Sequence, residues 1–200
     1  MTNQKNKMPV LFLGHGSPMN AIEDNEFTRA LGGLAEKFPQ PKAILSVSAH
    51  WTTEGNFLTS GTKPRVIYDM MGFPEELYEV DYPAPGSPEL VEQMIKDLPE
   101  LKLQKDPGSW GLDHGTWTML VHLYRKADIP VVQLSLNENE SLDFFYKLGQ
   151  KISYLREQGV LIFGSGNIVH NLRRVDWGAN PPVMSWAAEF EKAVLEKIQS

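Results

Sequence analysis

The sequence predicts a layered α/β domain, and three observations predict it: short continuous apolar runs, helical apolar stripes between them, and a 200-residue length that suits one domain. The runs at 10–13, 43–47, 131–136 and 160–163 read as buried strands, because a strand covered on both faces loses the apolar–polar alternation of a half-exposed one. Phe27, Leu31, Leu34 and Phe38 share one helical face, weakened by Gly32-Gly33. Ser87-Pro88 is a cap followed by proline at the first helical position, and Leu90, Val91, Met94, Ile95 and Leu98 then face inward. Ser141 caps a helix carrying Phe144, Phe145, Leu148, Ile152 and Leu155, closed by Gly159. A last helix begins near Ser185, with Trp186, Phe190, Val194 and Ile198 on one stripe, and it has no glycine stop. Residues 51–88 are rich in glycine, proline and aromatics and carry only weak strand signals, the composition of a long binding loop.

Composition narrows the function. A net charge of -6 gives no basic surface for nucleic acid. No stretch approaches the ~20 apolar residues of a membrane span. The run 10–13 behind Lys5 and Lys7 is too short for a signal peptide, so a cytoplasmic protein is expected. The chain has no cysteine, which excludes disulfides, a thiol nucleophile and thiolate ligands. Any metal is therefore held by nitrogen and oxygen.

Five histidines carry the remaining signal. His15 follows the first strand in Leu13-Gly14-His15-Gly16-Ser17-Pro18, and His50 follows the second in Ser46-Val47-Ser48-Ala49-His50-Trp51. His170 follows the 160–163 strand through Gly164-Ser165-Gly166-Asn167. Loops at the carboxyl ends of sheet strands converge, so three such histidines can meet although the sequence separates them. Imidazole suits iron, zinc, copper and nickel. His114 stands at a helix start where Asp113 is the candidate cap; it reads either as a neutral imidazole facing substrate or as a satisfied turn residue. His122 reads as structural. Gly164-Ser165-Gly166 lacks the third glycine of a dinucleotide fingerprint, having Val169 there, and Ser17 is not in a nucleophile elbow. Trp51 and Trp117 flank site histidines and read either as core or as pocket wall.

These segments, together with Gly72-Phe73-Pro74, Tyr82-Pro83-Ala84-Pro85-Gly86-Ser87-Pro88, Trp110-Gly111, Asp113-His114-Gly115, 130–135 and Val169-His170-Asn171-Leu172, resemble the class III (LigB-like) extradiol ring-cleavage dioxygenases of the 4,5-DOPA type. The motifs follow in the family's order along almost the whole chain. The resemblance implies a three-layer α/β/α fold around a central mixed sheet. It implies His15 and His50 as metal ligands, with His170 touching the metal and serving in acid–base chemistry. It also implies His114 as a catalytic, substrate-lining histidine. Fe(II) is the expected working metal, with Zn(II) able to occupy the site, and the substrates are a catechol such as 3,4-dihydroxyphenylalanine and O2.

Family members usually continue for several dozen residues, and that tail supplies a further ligand, a strand and part of the pocket. Residues 1–200 are accordingly expected to form a single catalytic domain lacking this C-terminal segment. No Asp or Glu sits in a matching ligand motif, so the ligand set is incomplete unless His170 fills it. Weak metal binding, poor activity and an exposed apolar flank, open to a partner subunit, follow from that reading. Two alternatives stand beside it. One is a non-catalytic, Memo-like binding protein of the same fold. The other is a zinc hydrolase, which needs a carboxylate base near the metal that the sequence does not place.

Overall fold

The computed structural model describes residues 7–176, 178 and 181–199; Lys5 and Ser200 lie outside them. The chain divides into two compact units, Met1–Gly166 and Asn167–Ser200.

In the first unit β1 (Val10–Leu13), β2 (Ala43–Thr53), β3 (Asn56–Thr59), β4 (Leu103–Asp106), β5 (Val131–Asn137) and β6 (Val160–Ser165) form one sheet, ordered β1-β6-β2-β5-β3-β4. The first four in that order are parallel, whereas β3 is antiparallel to β5 and parallel to β4, so the sheet is mixed. Its helices are α1 (Glu26–Leu34), α2 (Glu75–Tyr78), α3 (Pro88–Asp97), α4 (His114–Leu123) and α5 (Leu142–Ile152).

Successive strand side chains point to opposite faces, and here both faces are apolar. Ile44, Val131, Leu161 and Phe163 join Leu31 of α1 and Trp117, Met119 and Leu120 of α4 in one core. Their strand neighbours Leu45, Val132 and Ile162 join Val91 and Met94 of α3 and Leu148 and Ile152 of α5 in another. The sheet is thus sandwiched between two helical layers. This is the α/β/α arrangement expected from the sequence, and the double burial is why its inner strands read as unbroken apolar runs.

The caps are where the residue types place them. Ser87 and Ser141 side chains accept from the peptide N–H groups of Leu90 and Phe144, with Pro88 opening α3. Asn25 and Thr28 form a reciprocal capping box on α1. Gly159, at φ 90°, closes the short 3-10 turn that follows α5.

Other features differ from the sequence reading, beginning with β1, which is no buried strand but an edge strand with Val10 and Phe12 exposed. α1 stops at Leu34, and a 3-10 turn, Ala35–Lys37, carries the chain to Phe38, consistent with two glycines in its interior. β2 runs six residues beyond 43–47, pairing again at Thr52 and Thr53 after an irregularity. That extension carries Ser48, His50 and Thr52, polar residues that an apolar-run criterion cuts off. β3 and β4 are four residues each, and β4 is an edge strand with Gln104 and Lys105 exposed, too short and polar to register as a run.

The second unit contains a 3-10 turn, Leu172–Arg174, and α6 (Ser185–Gln199). The Arg174 guanidinium lies 4.9 Å over the Trp186 ring. Phe190, Leu195 and Ile198 of α6 are exposed. Among the described residues no helix is long and apolar enough to cross a membrane.

Candidate metal centre

Three chain segments each deliver one imidazole to one point. β1 ends at Leu13, and the turn after it needs Gly16 in the left-handed region, at φ +63°. Asn20 Nδ2 donates to the His15 carbonyl at 3.0 Å, and Ser17 caps the 3-10 turn Pro18–Ala21, so the loop carrying His15 is held from within. His15 is buried. His50 comes from the irregular extension of β2, where its peptide N–H donates to Ser48 Oγ at 3.2 Å. His114 is the first residue of α4, and Asp113 caps that helix by accepting from Thr116 N.

Gly115 allows the three to meet. A Cβ there would lie 2.6 Å from Ser48 Oγ, 3.0 Å from His50 Cδ2 and 3.2 Å from Ser165 Oγ, so only glycine lets the N-terminus of α4 press against β2 and β6. Ring centroids are 3.9 Å apart for His50–His114, 4.8 Å for His15–His50 and 5.4 Å for His15–His114. One nitrogen from each ring lies within 4.8 Å of the others, a group able to hold a metal ion.

Polar neighbours set how these rings face. Ser165 Oγ stands 2.8 Å from His15 Nδ1 and gives its own proton to the Gly115 carbonyl. The hydroxyl therefore accepts from Nδ1–H, which leaves His15 Nε2 as the lone-pair nitrogen. That atom is 3.1 Å from His50 Nε2. On the outer side, Asp69 Oδ2 lies 3.6 Å from His50 Nδ1, and Asp69 Oδ1 lies 3.0 Å from His114 Nδ1. The second contact is close but off the line of a hydrogen bond, so the buried His114 Nδ1 has no aligned partner. Asp69 Oδ1 also accepts the His114 peptide N–H at 2.9 Å.

Two carboxyls beneath the site are pushed in opposite directions. Burial pushes Asp69 up, but the polar contacts and charge of His114 outweigh it and hold the group below the usual carboxylate range. Burial pushes Asp113 up, aided by the charge of Asp69 and opposed by hydrogen bonds from Ser48 and Gln133.

The residues fit a transition-metal ion. Nitrogens bound to one ion at about 2.0–2.1 Å stand roughly 3 Å apart, and the two Nε2 atoms already do. Imidazole ligands oriented from behind by a hydroxyl or a carboxylate are the usual support of such a centre.

Among the residues singled out from sequence, the structure brings His15, His50 and His114 together. His170 belongs to the second unit, where it is exposed just ahead of the Leu172–Arg174 turn. His122 is structural, its Nε2 2.7 Å from the Asn20 carbonyl. Trp117 is fully buried in the core, and Trp51 is buried and stacks on Trp110 at 5.9 Å and 3°. Asp69 and Ser165 were not foreseen as site residues. Asp69 stands three residues before Gly72-Phe73-Pro74 in the long irregular segment, and that placement was the only signal for it. A cavity of about 790 Å³ lies between α1 and the end of α4, lined by Arg29, Phe38, Tyr124, Arg125 and Lys126 among others, and touches none of the three histidines.

Comparison with known proteins identifies the family. The model of a family described as the catalytic LigB subunit of aromatic ring-opening dioxygenase matches residues 9–200. The chain is 44% identical over 188 residues to a protein of Escherichia coli (strain K12) named 4,5-DOPA dioxygenase extradiol, covering 94% of this chain and 69% of that protein. It is 40% identical over 201 residues to a protein of the same name from Beta vulgaris, covering 96% and 73%. The solved structure of an uncharacterized protein from Escherichia coli K12 superposes with a TM-score of 0.81 at 40% identity, covering 94% of this chain and 72% of that one.

Proposed function

Because the chain belongs to the family of the catalytic LigB subunit of aromatic ring-opening dioxygenases, we propose that it opens the ring of a catechol, such as 3,4-dihydroxyphenylalanine, with O2. The convergence of His15, His50 and His114 on one point carries this reading. The family match runs through both compact units, which supports treating them as parts of one catalytic domain.

His15 and His50 hold the metal through their facing Nε2 atoms. Fe(II), when bound there, supplies the Lewis acidity that favours the catecholate and the electron exchange that lets O2 react, whereas redox-inert Zn(II) supplies only the first. His114 lies against His50 with Nδ1 toward Asp69, so its other ring nitrogen is available to the substrate hydroxyl. A buried imidazole in that place takes the second catechol proton and returns it to the product. His170 is assigned a share in proton transfer and in contacting the metal on the strength of its motif, Val169-His170-Asn171-Leu172. Ring opening occurs beside the two hydroxyl-bearing carbons, not between them.

A hydrolase would need a carboxylate free to activate water. Asp69 is the carboxylate at hand, but its oxygens are directed at the outer sides of His50 and His114 and at the His114 peptide N–H. That arrangement favours orientation of ligands over base catalysis.

The test is oxygen uptake and visible absorbance after loading the oxygen-free protein with Fe(II) and adding 3,4-dihydroxyphenylalanine and air. A yellow product with stoichiometric O2 consumption is expected. His15→Ala and His50→Ala lose both metal and turnover, and His114→Ala keeps metal while losing turnover. No uptake at measured full iron occupancy, across a panel of catechols, overturns the proposal.

A further inference from the structure

We propose that Asp69 is a positioning residue of the metal centre, one carboxylate that orients two imidazoles at once; this rests on the metal-centre reading above.

Asp69 is firmly aimed. It lies in the irregular stretch between β3 and α2, yet the backbone before it is pinned. Ile67 N donates to the Leu112 carbonyl and Leu112 N to the Arg65 carbonyl, each at 2.8 Å. The Trp117 indole donates to the Ile67 carbonyl at 3.0 Å. Tyr68 Oη donates to the Val80 carbonyl at 2.7 Å. These bonds tie the residues just ahead of Asp69 to α4 through Trp117, to the strand-like bridge at Val66 and Leu112, and to Val80. The carboxylate that follows is mostly buried, its side chain 14% exposed.

A helix cap alone requires one acceptor oxygen, and Asp69 Oδ1 meets that need through the His114 peptide N–H. The rest of the geometry exceeds a cap. The same oxygen stands 3.0 Å from His114 Nδ1, and Oδ2 turns to His50 Nδ1 at 3.6 Å. Both imidazoles thus meet Asp69 through Nδ1, and in His50 that leaves Nε2 for the contact with His15. A carboxylate facing Nδ1 of a ring favours a proton there. Once a metal displaces the proton shared between the His15 and His50 Nε2 atoms, His50 Nε2 is the nitrogen left to bind it, and in His114 the other ring nitrogen is left to take a proton from substrate. Ser165, at the end of β6, does the same for His15. Distances of this looseness are usual in unliganded sites and tighten on binding.

Asp69→Asn separates the two roles. It preserves shape and an oxygen acceptor for the His114 peptide N–H, but it removes the charge and presents an N–H where one imidazole requires an acceptor. The expected result is a folded protein with nearly wild-type thermal unfolding, a Zn(II) affinity lowered about 10–100-fold in competition with a chromophoric chelator, and a fall in kcat larger than the change in KM. Wild-type Zn(II) affinity and kcat in Asp69→Asn overturn the proposal and reduce Asp69 to a cap. A second measurement needs no variant: 15N-histidine NMR of the zinc-loaded wild-type chain should show His50 protonated at Nδ1 and bound through Nε2. His50 bound through Nδ1 overturns the proposal, since Asp69 then faces the wrong nitrogen. If the wild-type chain binds no Zn(II) at all, the metal-centre reading falls and this inference falls with it, an outcome distinct from the other two.

Discussion

His15 Nδ1 lies 2.8 Å from the Oγ of Ser165, and that hydroxyl passes its one proton to the Gly115 carbonyl. Three segments are tied in this contact: the loop after β1, the end of β6 and the first turn of α4. The serine has no proton left for His15, so the ring must donate and its Nε2 must keep a lone pair.

Ser165→Ala should therefore leave the fold nearly intact, at a cost of about 0.5–1.5 kcal/mol for the lost hydrogen bond, while weakening Zn(II) binding by roughly one to two orders of magnitude. Urea unfolding reads the first and chelator competition the second. Unchanged metal affinity in a folded variant would show that the hydroxyl does not set the His15 tautomer.

Gly115→Ala tests the crossing of α4 over the sheet. The added methyl would stand 2.6 Å from Ser48 Oγ and 3.0 Å from His50 Cδ2. We expect a loss of about 1–3 kcal/mol from overpacking, together with displaced His50 and weakened metal binding. A variant as stable and as avid for metal as the wild type would disprove the tight crossing.

Trp117→Phe removes the indole N–H that holds the Ile67 carbonyl. The carbonyl is part-buried, so losing its partner should cost about 1 kcal/mol. Because Ile67 lies two residues before Asp69, metal affinity should fall as well, whereas a purely structural tryptophan would change stability alone. The urea midpoint and Zn(II) competition distinguish these outcomes.

Tyr124 Oη is buried without a hydrogen-bond partner among the described residues. Burial pushes its pKa up to about 12, against about 10 in an unfolded chain. A folded-state pKa above the unfolded one means that its contribution is fully present below pH of about 10 and lost as pH rises through about 12. Tyr124→Phe should be neutral or slightly stabilising at pH 7 and should flatten the alkaline loss of stability. Tyr154, pushed to about 12 by burial and by Asp97, keeps part of that loss in place. Urea midpoints from pH 8 to 11.5 check both; a variant clearly less stable at pH 7 would mean the hydroxyl is satisfied after all.

Sequence alone settled those features in which one residue type has one local consequence. Apolar runs at 131–136 and 160–163 became β5 and β6, because strands covered on both faces admit little else. Ser87, Asp113 and Ser141 fixed the starts of α3, α4 and α5, since an N-cap acts within three residues. Two of the three histidines now seen together, His15 and His50, were already recognisable as site candidates. His15 does follow its strand, where the carboxyl ends of sheet strands point the same way, whereas His50 lies within β2.

Tertiary structure alone decided the rest, and for a common reason: each such feature depends on distant segments meeting. The extension of β2 that holds His50 exists because β5 pairs with it again beyond the irregularity, and its polar residues carry no strand signature of their own. His114 joined the other two histidines because Gly115 lets α4 close on β2 and β6. Asp69 and Ser165 became part of the site through contacts spanning 45 and 150 residues of chain. A carboxylate in an irregular stretch and a serine at a strand end show no periodicity to read. Their meaning comes from the orientation they impose on an imidazole, and that is a property of the packed molecule.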